Sequence, residues 1–283
     1  MLKDIYGHEN IKDSLKIIKD KLPPLLLFVG SEGIGKEHTA LHLIDEIYQG
    51  SFTHRLRYHP DILILKPDTK VFKLELIAQM KSYIRNTAFE LDKHYVILDN
   101  VHLMNKESAN ACLKVFEDAP NNTHFILLAE NKELILDTIL SRSILFEFSP
   151  VKDLKKYLPE LSDIEIKLLE GCLGRKELLL NLDVTKLYQE VLLFLVSYKD
   201  LDYSEIIDWY NKYNNLEIYL LNIFFLLVSQ ELAKRNKYLN TVLLFLNSCK
   251  EFKSKIDSNL NLGIHFKNML IQNRYLLEKS KEL

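Results

Sequence analysis

Apolar positions fall into two kinds of run over the first 149 residues and into only one kind afterwards. Short unbroken runs at Leu25–Val29, Ile62–Leu65, Tyr95–Leu98, His124–Ala129 and Ile144–Phe148 have the length of buried strands. Periodic stretches lie between them. Lys36–Ile47 predicts a helix, and Lys73–Arg85 a second, with Leu74, Ile77, Met80, Lys81 and Ile84 largely on one face. Lys106–Asp118 predicts a third, because Ala109, Cys112, Leu113 and Phe116 follow the i, i+3, i+4, i+7 spacing. Pro120-Asn121-Asn122 ends that helix and turns the chain. Strands alternating with helices predict a parallel sheet covered on both faces.

Beyond Ser149-Pro150 the strand signals stop. Ser162-Asp163-Ile164-Glu165 is a capping-box start ahead of an apolar run. From about Val184 onward the chain reads as helix throughout, with apolar stripes and few Gly or Pro. The expected layout is an α/β domain over 1–149, a small helical domain over 150–183 and an all-α domain over 184–283. The longest apolar stretch, Tyr219–Val228, contains Asn222 and is far too short to span a bilayer. It reads as a buried helix, and no membrane partner is expected.

Composition changes this picture little. Among 283 residues, 47% are hydrophobic and 27% charged, the balance of an ordinary globular chain. A formal net charge of −2 argues against a chain-wide basic surface for nucleic acid. Cys112, Cys172 and Cys249 are far apart and odd in number, which predicts buried thiols in a reducing cytoplasm rather than a disulfide framework or a metal site. Met1–Gly7 carries no apolar core of a signal peptide. None of the nine histidines pairs with a cysteine or acid at a zinc-site spacing, and no Ser/His/Asp or Cys/His nucleophile arrangement is legible.

The candidate chemistry begins at Gly30-Ser31-Glu32-Gly33-Ile34-Gly35-Lys36-Glu37, where a strand runs into glycines, a lysine and then a helix. Gly30, Gly33 and Gly35 let backbone N–H groups wrap a phosphate, and Lys36 can reach its outer oxygens. The next position requires a Ser or Thr hydroxyl for magnesium, but it holds Glu37, and Thr39 lies two residues too late. At roughly 4 Å and an effective dielectric of about 20, one unit charge against another is worth ~4 kcal/mol. Glu37 therefore opposes a triphosphate unless a cation intervenes or the carboxylate swings away. Downstream, Tyr95–Leu98 ends in Asp99, the place of the acid that organises magnesium, and Asn100 follows. An amide orients water but cannot take its proton. Ser141-Arg142-Ser143 follows the fourth strand; by itself Arg142 is either a solvated surface arginine or one aimed at a neighbouring subunit. His59-Pro60-Asp61 reads as a strand-entry turn.

In this order the segments resemble the delta-prime chains of the bacterial DNA polymerase III clamp loader, a branch of the AAA+ superfamily. Ile5-Tyr6-Gly7-His8-Glu9 resembles the N-terminal box near the adenine pocket, and His59-Pro60-Asp61 matches a segment typical of these chains. Asp99–Met104 and Asn105–Lys114 resemble the family's acid strand and its next helix, and Phe116–Thr123 matches the turn that ends that helix. Asn131 falls near the sensor-one position, Ser141-Arg142-Ser143 matches Ser-Arg-Cys with Ser143 for Cys, and Gly171–Arg175 resembles the sensor-two region. The resemblance is detailed to about residue 180 and weak beyond.

It implies an AAA+ α/β domain, a helical lid and a helical collar that holds a pentamer together. It implies a stator that does not hydrolyse ATP by itself within a DNA-directed DNA polymerase (nucleotidyltransferase) holoenzyme. Its partners would be gamma or tau and delta subunits, the sliding clamp and primed DNA. Arg142 would act as an arginine finger in trans. Gly30, Gly33, Gly35, Lys36, Glu37, Asp99, Asn100, Asn131 and Arg175 would line a degenerate nucleotide site that needs no cofactor. The competing expectation is an active gamma-like ATPase, which should carry Ser or Thr at position 37 and Glu at position 100. Many relatives carry a four-cysteine zinc module before the His-Pro-Asp segment; Tyr48–Tyr58 contains no cysteine, so no zinc is expected.

Overall fold

The computed structural model describes residues 2, 5–50, 56–69, 71–180, 182–213, 216–235, 238–254 and 261–279. The chain divides into two compact units, Met1–Glu177 and Leu178–Leu283. The segment 150–183, expected as a lid, is shared between them. Residues 51–55 of the segment expected to lack a zinc module, and 280–283 of the expected collar, lie outside the described residues.

The first unit is built on a five-stranded, wholly parallel sheet: β1 (Leu25–Val29), β2 (Ile62–Leu65), β3 (His94–Leu98), β4 (Thr123–Ala129) and β5 (Ile144–Glu147), in the order β2-β3-β4-β1-β5. The helices are α1 (Glu9–Ile18), α2 (Lys36–Ile47), α3 (Leu74–Tyr83), α4 (Lys106–Asp118), α5 (Asp137–Leu140), α6 (Leu154–Tyr157) and α7 (Asp163–Leu168). Every residue of β1, β3 and β4 is buried, which explains why these strands read as unbroken apolar runs.

The two-residue period of a strand sorts their side chains into two cores. Leu26, Phe28, Tyr95, Ile97, Ile126 and Leu128 meet Ile11 and Leu15 of α1 and Ala40, Leu43 and Ile44 of α2. Leu25, Leu27, Val29, Val96, Leu98 and Leu127 meet Ile77 and Met80 of α3 and Ala109, Cys112 and Val115 of α4. Of the face expected for α3, Ile77, Met80 and Ile84 are buried while Leu74 and Lys81 are exposed. That helix is shorter than the sequence suggested, and β5 ends one residue earlier, at Glu147; the Phe148 amide still donates to the Val29 carbonyl at 2.7 Å, and its ring packs on Phe28 and His8. Helix α1 was not anticipated.

Local signals behave as physics requires. Ser162 and Glu165 close the expected capping box: the Glu165 amide donates to Ser162 Oγ at 3.3 Å and the Ser162 amide to Glu165 Oε2 at 2.7 Å. Asn105 caps α4 by accepting from the Ser108 amide at 2.8 Å.

The second unit holds α8 (Val184–Ser197), α9 (Tyr203–Lys212), α10 (Ile218–Lys234), α11 (Leu239–Ser254) and α12 (Leu262–Lys279). An aromatic cluster forms its core. Phe194 lies 4.3 Å from Trp209, and Phe225 stacks on Phe245 at 5.4 Å and meets Phe266 edge-on at 5.6 Å. The stretch Tyr219–Val228 lies within α10, whose Asn222 is fully buried and donates to the Cys249 carbonyl at 3.2 Å. All three cysteines are buried, unbridged thiols, and burial pushes Cys112 up to about 12. No helix among the described residues is long and apolar enough to cross a membrane.

His59-Pro60-Asp61 ties the loop before β3 to the entrance of β2. The buried Asp61 carboxylate accepts from the amides of Phe89, Glu90 and Leu91 at 2.6, 2.7 and 2.7 Å. Burial raises its pKa, but those three donors outweigh it, and the net direction is down. A depressed carboxylate contributes stability that is complete above its unfolded value, about 3.9, and is lost as pH falls through the folded value. Asp61→Asn should therefore cost about 2–3 kcal/mol of unfolding free energy at neutral pH. In urea titrations repeated against pH, the gap from wild type should stay constant above about pH 4 and shrink below it.

Candidate nucleotide site and exposed arginine

The glycine-rich loop starts where β1 leaves the sheet. The Gly30 amide donates to the Ala129 carbonyl of β4 at 3.1 Å, and a Cβ at Gly30 would meet Phe148 backbone oxygen at 2.8 Å. Gly35 has φ +103° at the N-cap of α2, and a Cβ there would meet nothing within 4 Å, so the loop opens on that side. Lys36 opens the helix and is buried. Its ammonium donates to the carbonyls of Gly30 and, at 3.0 Å, Ser31. Burial pulls its pKa below the usual lysine value, while the carboxylates of Glu130, Asp99 and Glu32 act the other way.

Two loop positions are held from outside. His8 Nε2 donates to the Ile34 carbonyl at 3.3 Å, which brings the N-terminal box against the loop. On the other flank the Gly174 amide donates to the Gly33 carbonyl at 2.8 Å, and a Cβ at Gly174 would lie 2.9 Å from that oxygen. The Arg175 stem borders Gly33, and its guanidinium pairs with Glu170 at 3.2 Å. The fold thus brings Gly33 and the Arg175 stem together.

The acidic groups of the site have protein cations as partners. Glu37 pairs with Arg57 at 2.9 Å. Asp99, at the end of β3, pairs with Lys66 at 3.3 Å and accepts from the Asn100 amide at 2.9 Å. Asn100 has φ +56°. The Thr39 hydroxyl donates back to the Gly35 carbonyl at 2.8 Å, so it is committed to the helix. Asn131 accepts from the Glu133 amide at 2.9 Å and caps a short turn. Arg57 and Lys66 were not singled out in the sequence. Lys66 directly follows an apolar strand, a position that points to the strand-end rim, but only the pairing of β2 with β3 sets it beside Asp99.

A glycine loop ending in lysine implies a magnesium nucleotide, and the residues divide on whether they fit one. The open glycine loop with Lys36 fits a phosphate. Position 37 offers no hydroxyl, Asp99 already has an ammonium on it, and Asn100 is no base; these do not fit magnesium. Among the described residues no group of three His, Cys, Asp or Glu side chains is placed to hold a metal.

Arg142 lies at the opposite rim. Ile144 is level with Leu26 in the parallel ladder, four residues before Gly30, or roughly 13 Å at 3.3 Å per residue, and Arg142 precedes Ile144. Its guanidinium is half-exposed, donates to the Thr138 carbonyl at 3.1 Å and pairs with Glu117 at 3.1 Å. It therefore does not meet the phosphate loop of its own chain.

A family model described as DNA polymerase III, delta subunit, matches residues 8–152, just over half of the chain. The chain belongs to that family. The family's region takes in the phosphate loop, Asp99 and Arg142. A replication factor C small subunit of Natronomonas pharaonis is 30% identical over 154 residues, covering 54% of this chain and 45% of that protein. The DNA polymerase III subunit delta' of Bacillus subtilis is 29% identical over 148 residues, covering 48% of this chain and 45% of that protein. The chain thus spans about half the length of the curated relatives it matches. A gamma subunit-related protein of Thermotoga maritima superposes with a TM-score of 0.51 at 19% identity, over 94% of this chain and 99% of that one. That likeness concerns fold, an α/β AAA+ domain with a helical C-terminal part. Family and relatives together make this a clamp-loader-type AAA+ chain.

Gly171 seats residues 150–151 against the end of α7: it has φ +81°, and a Cβ would lie 2.5 Å from Pro150 Cβ and 2.8 Å from the Val151 amide nitrogen. Gly171→Ala should cost more than about 1 kcal/mol in chemical denaturation. It should also speed amide hydrogen exchange at Val151, which donates to the Gly171 carbonyl at 3.0 Å.

Proposed function

We propose that this chain is a non-hydrolysing stator subunit of a DNA polymerase III clamp loader that helps place a sliding clamp on primed DNA. One observation carries the reading. Arg142 sits at the rim of the sheet away from the phosphate loop, where it can reach a second chain, while its own site has Glu37 and Asn100 where a hydrolase needs a hydroxyl and a base. Arg142 acts in this reading as a trans arginine finger that enters the nucleotide site of a neighbouring gamma- or tau-type ATPase. The geometry supports it in a second way: exchanging Glu117 for a phosphate is easy, because exposed ion pairs are worth at most about 1 kcal/mol.

The partners in this reading are gamma or tau and delta subunits, with the clamp and DNA met through the complex in the cytoplasm. The helices of the second unit form the collar, and the degenerate site needs no turnover of its own. The competing reading, an active gamma-like ATPase, makes the opposite prediction for the purified chain.

Two measurements separate them. In a reconstituted loader with clamp and primed DNA, Arg142→Ala should lower ATP turnover by about 10³–10⁵ at the site it serves, with the assembly intact on a sizing column. The full chain alone should hydrolyse magnesium-ATP no faster than a Lys36→Ala control. Unchanged turnover in the first experiment removes the trans role, and brisk hydrolysis in the second favours the gamma-like reading.

A further inference from the structure

The disagreement between the site and magnesium has a specific cause. Lys66 follows β2 directly, Asp99 follows β3 directly, and the two strands pair with Leu65 level with Leu98. The Asp99 amide donates to the Leu65 carbonyl at 2.8 Å, so the ladder itself delivers the Lys66 ammonium to the Asp99 carboxylate, 3.3 Å away. Asp99 in turn acts electrostatically on Lys36. One carboxylate is therefore paired with the ammonium of the neighbouring strand at 3.3 Å and also acts on the ammonium of the loop.

The remaining acids around the loop follow the same pattern. Glu37, which would repel a triphosphate, is drawn to Arg57 at 2.9 Å, and Glu170 is held by Arg175 at 3.2 Å. Glu32 and Glu130 act on Lys36 from the loop and from the end of β4. A divalent cation seeking Asp99 meets Lys66 already there, and finds no hydroxyl at position 37 and no acid at position 100 to complete its shell. A phosphate seated on the loop meets backbone N–H groups, the positive end of α2 and lysine.

We propose that Lys66 is the built-in counter-ion standing in for a divalent metal, so that this phosphate loop takes a nucleoside triphosphate as the metal-free anion. The inference rests on the reading of Gly30–Lys36 as a nucleotide scaffold, but not on Arg142. With neither a metal nor a base, a nucleotide held this way is a fixed part of the subunit and not a substrate.

The test is equilibrium binding of ATP to the full chain, by calorimetry, with excess magnesium chloride or with EDTA. Wild type should bind in EDTA and weaken by about tenfold or more in excess magnesium, because the metal takes up the free anion and the site has no place for the complex. Lys66→Ala should lose about tenfold in EDTA and recover it with magnesium, because Asp99 is then open to the metal. Lys66→Arg keeps the charge and should weaken with magnesium as wild type does. The proposal is overturned if magnesium leaves wild-type binding unchanged or tightens it. It is equally overturned if wild type binds no ATP in either buffer, or if Lys66→Ala matches wild type in both. None of these outcomes bears on turnover in the Arg142→Ala loader, so the two readings fail separately.

Discussion

The β1–β4 ladder runs one residue past the strands, where the Gly30 amide donates to the Ala129 carbonyl. That bond fixes the point at which the chain departs from the sheet, and the site is built outward from it. Buried on both faces, β1 cannot move without disturbing two cores at once. The loop after it inherits this rigidity. It is then gripped on its two flanks, by His8 at Ile34 and by Gly174 at Gly33. A loop held so closely suits an anion better than it suits large rearrangement.

A parallel sheet also gives the molecule two chemically different rims. The strand-end rim gathers the phosphate loop, Asp99 and Lys66, because β1, β2 and β3 all finish there. The opposite rim carries Arg142, because the turn after α5 must return to the start of β5. One chain can thus present a glycine-loop scaffold at one end of its sheet and a cation at the other. The acids at this rim have protein cations beside them: Glu37 pairs with Arg57 and Asp99 with Lys66.

Much of the first unit was legible because its signals are local. Five apolar runs of strand length, three amphipathic stretches and a Ser-x-x-Glu start each report on themselves, and all became elements of the expected type. Helix α1 carries only a short mark in the sequence, although Ile11 and Leu15 point into the core. His59-Pro60-Asp61 looked like a strand-entry turn, and it is one. Its buried carboxylate also captures three amides some thirty residues on, for which the sequence carries no mark.

By itself the sequence determined the alternation of strands and helices, the glycine loop with Lys36, and the two departures at Glu37 and Asn100, because period, turn chemistry and side-chain identity are properties of short segments. Tertiary structure alone decided what those residues meet. Strand order put β2 beside β3 and so Lys66 on Asp99; the fold of the helical segment put Gly174 and Arg175 on Gly33; the direction of β5 put Arg142 away from its own loop. Those pairings join segments far apart in the chain. They are chosen by the burial of whole faces against one another, an energy that no single segment contains.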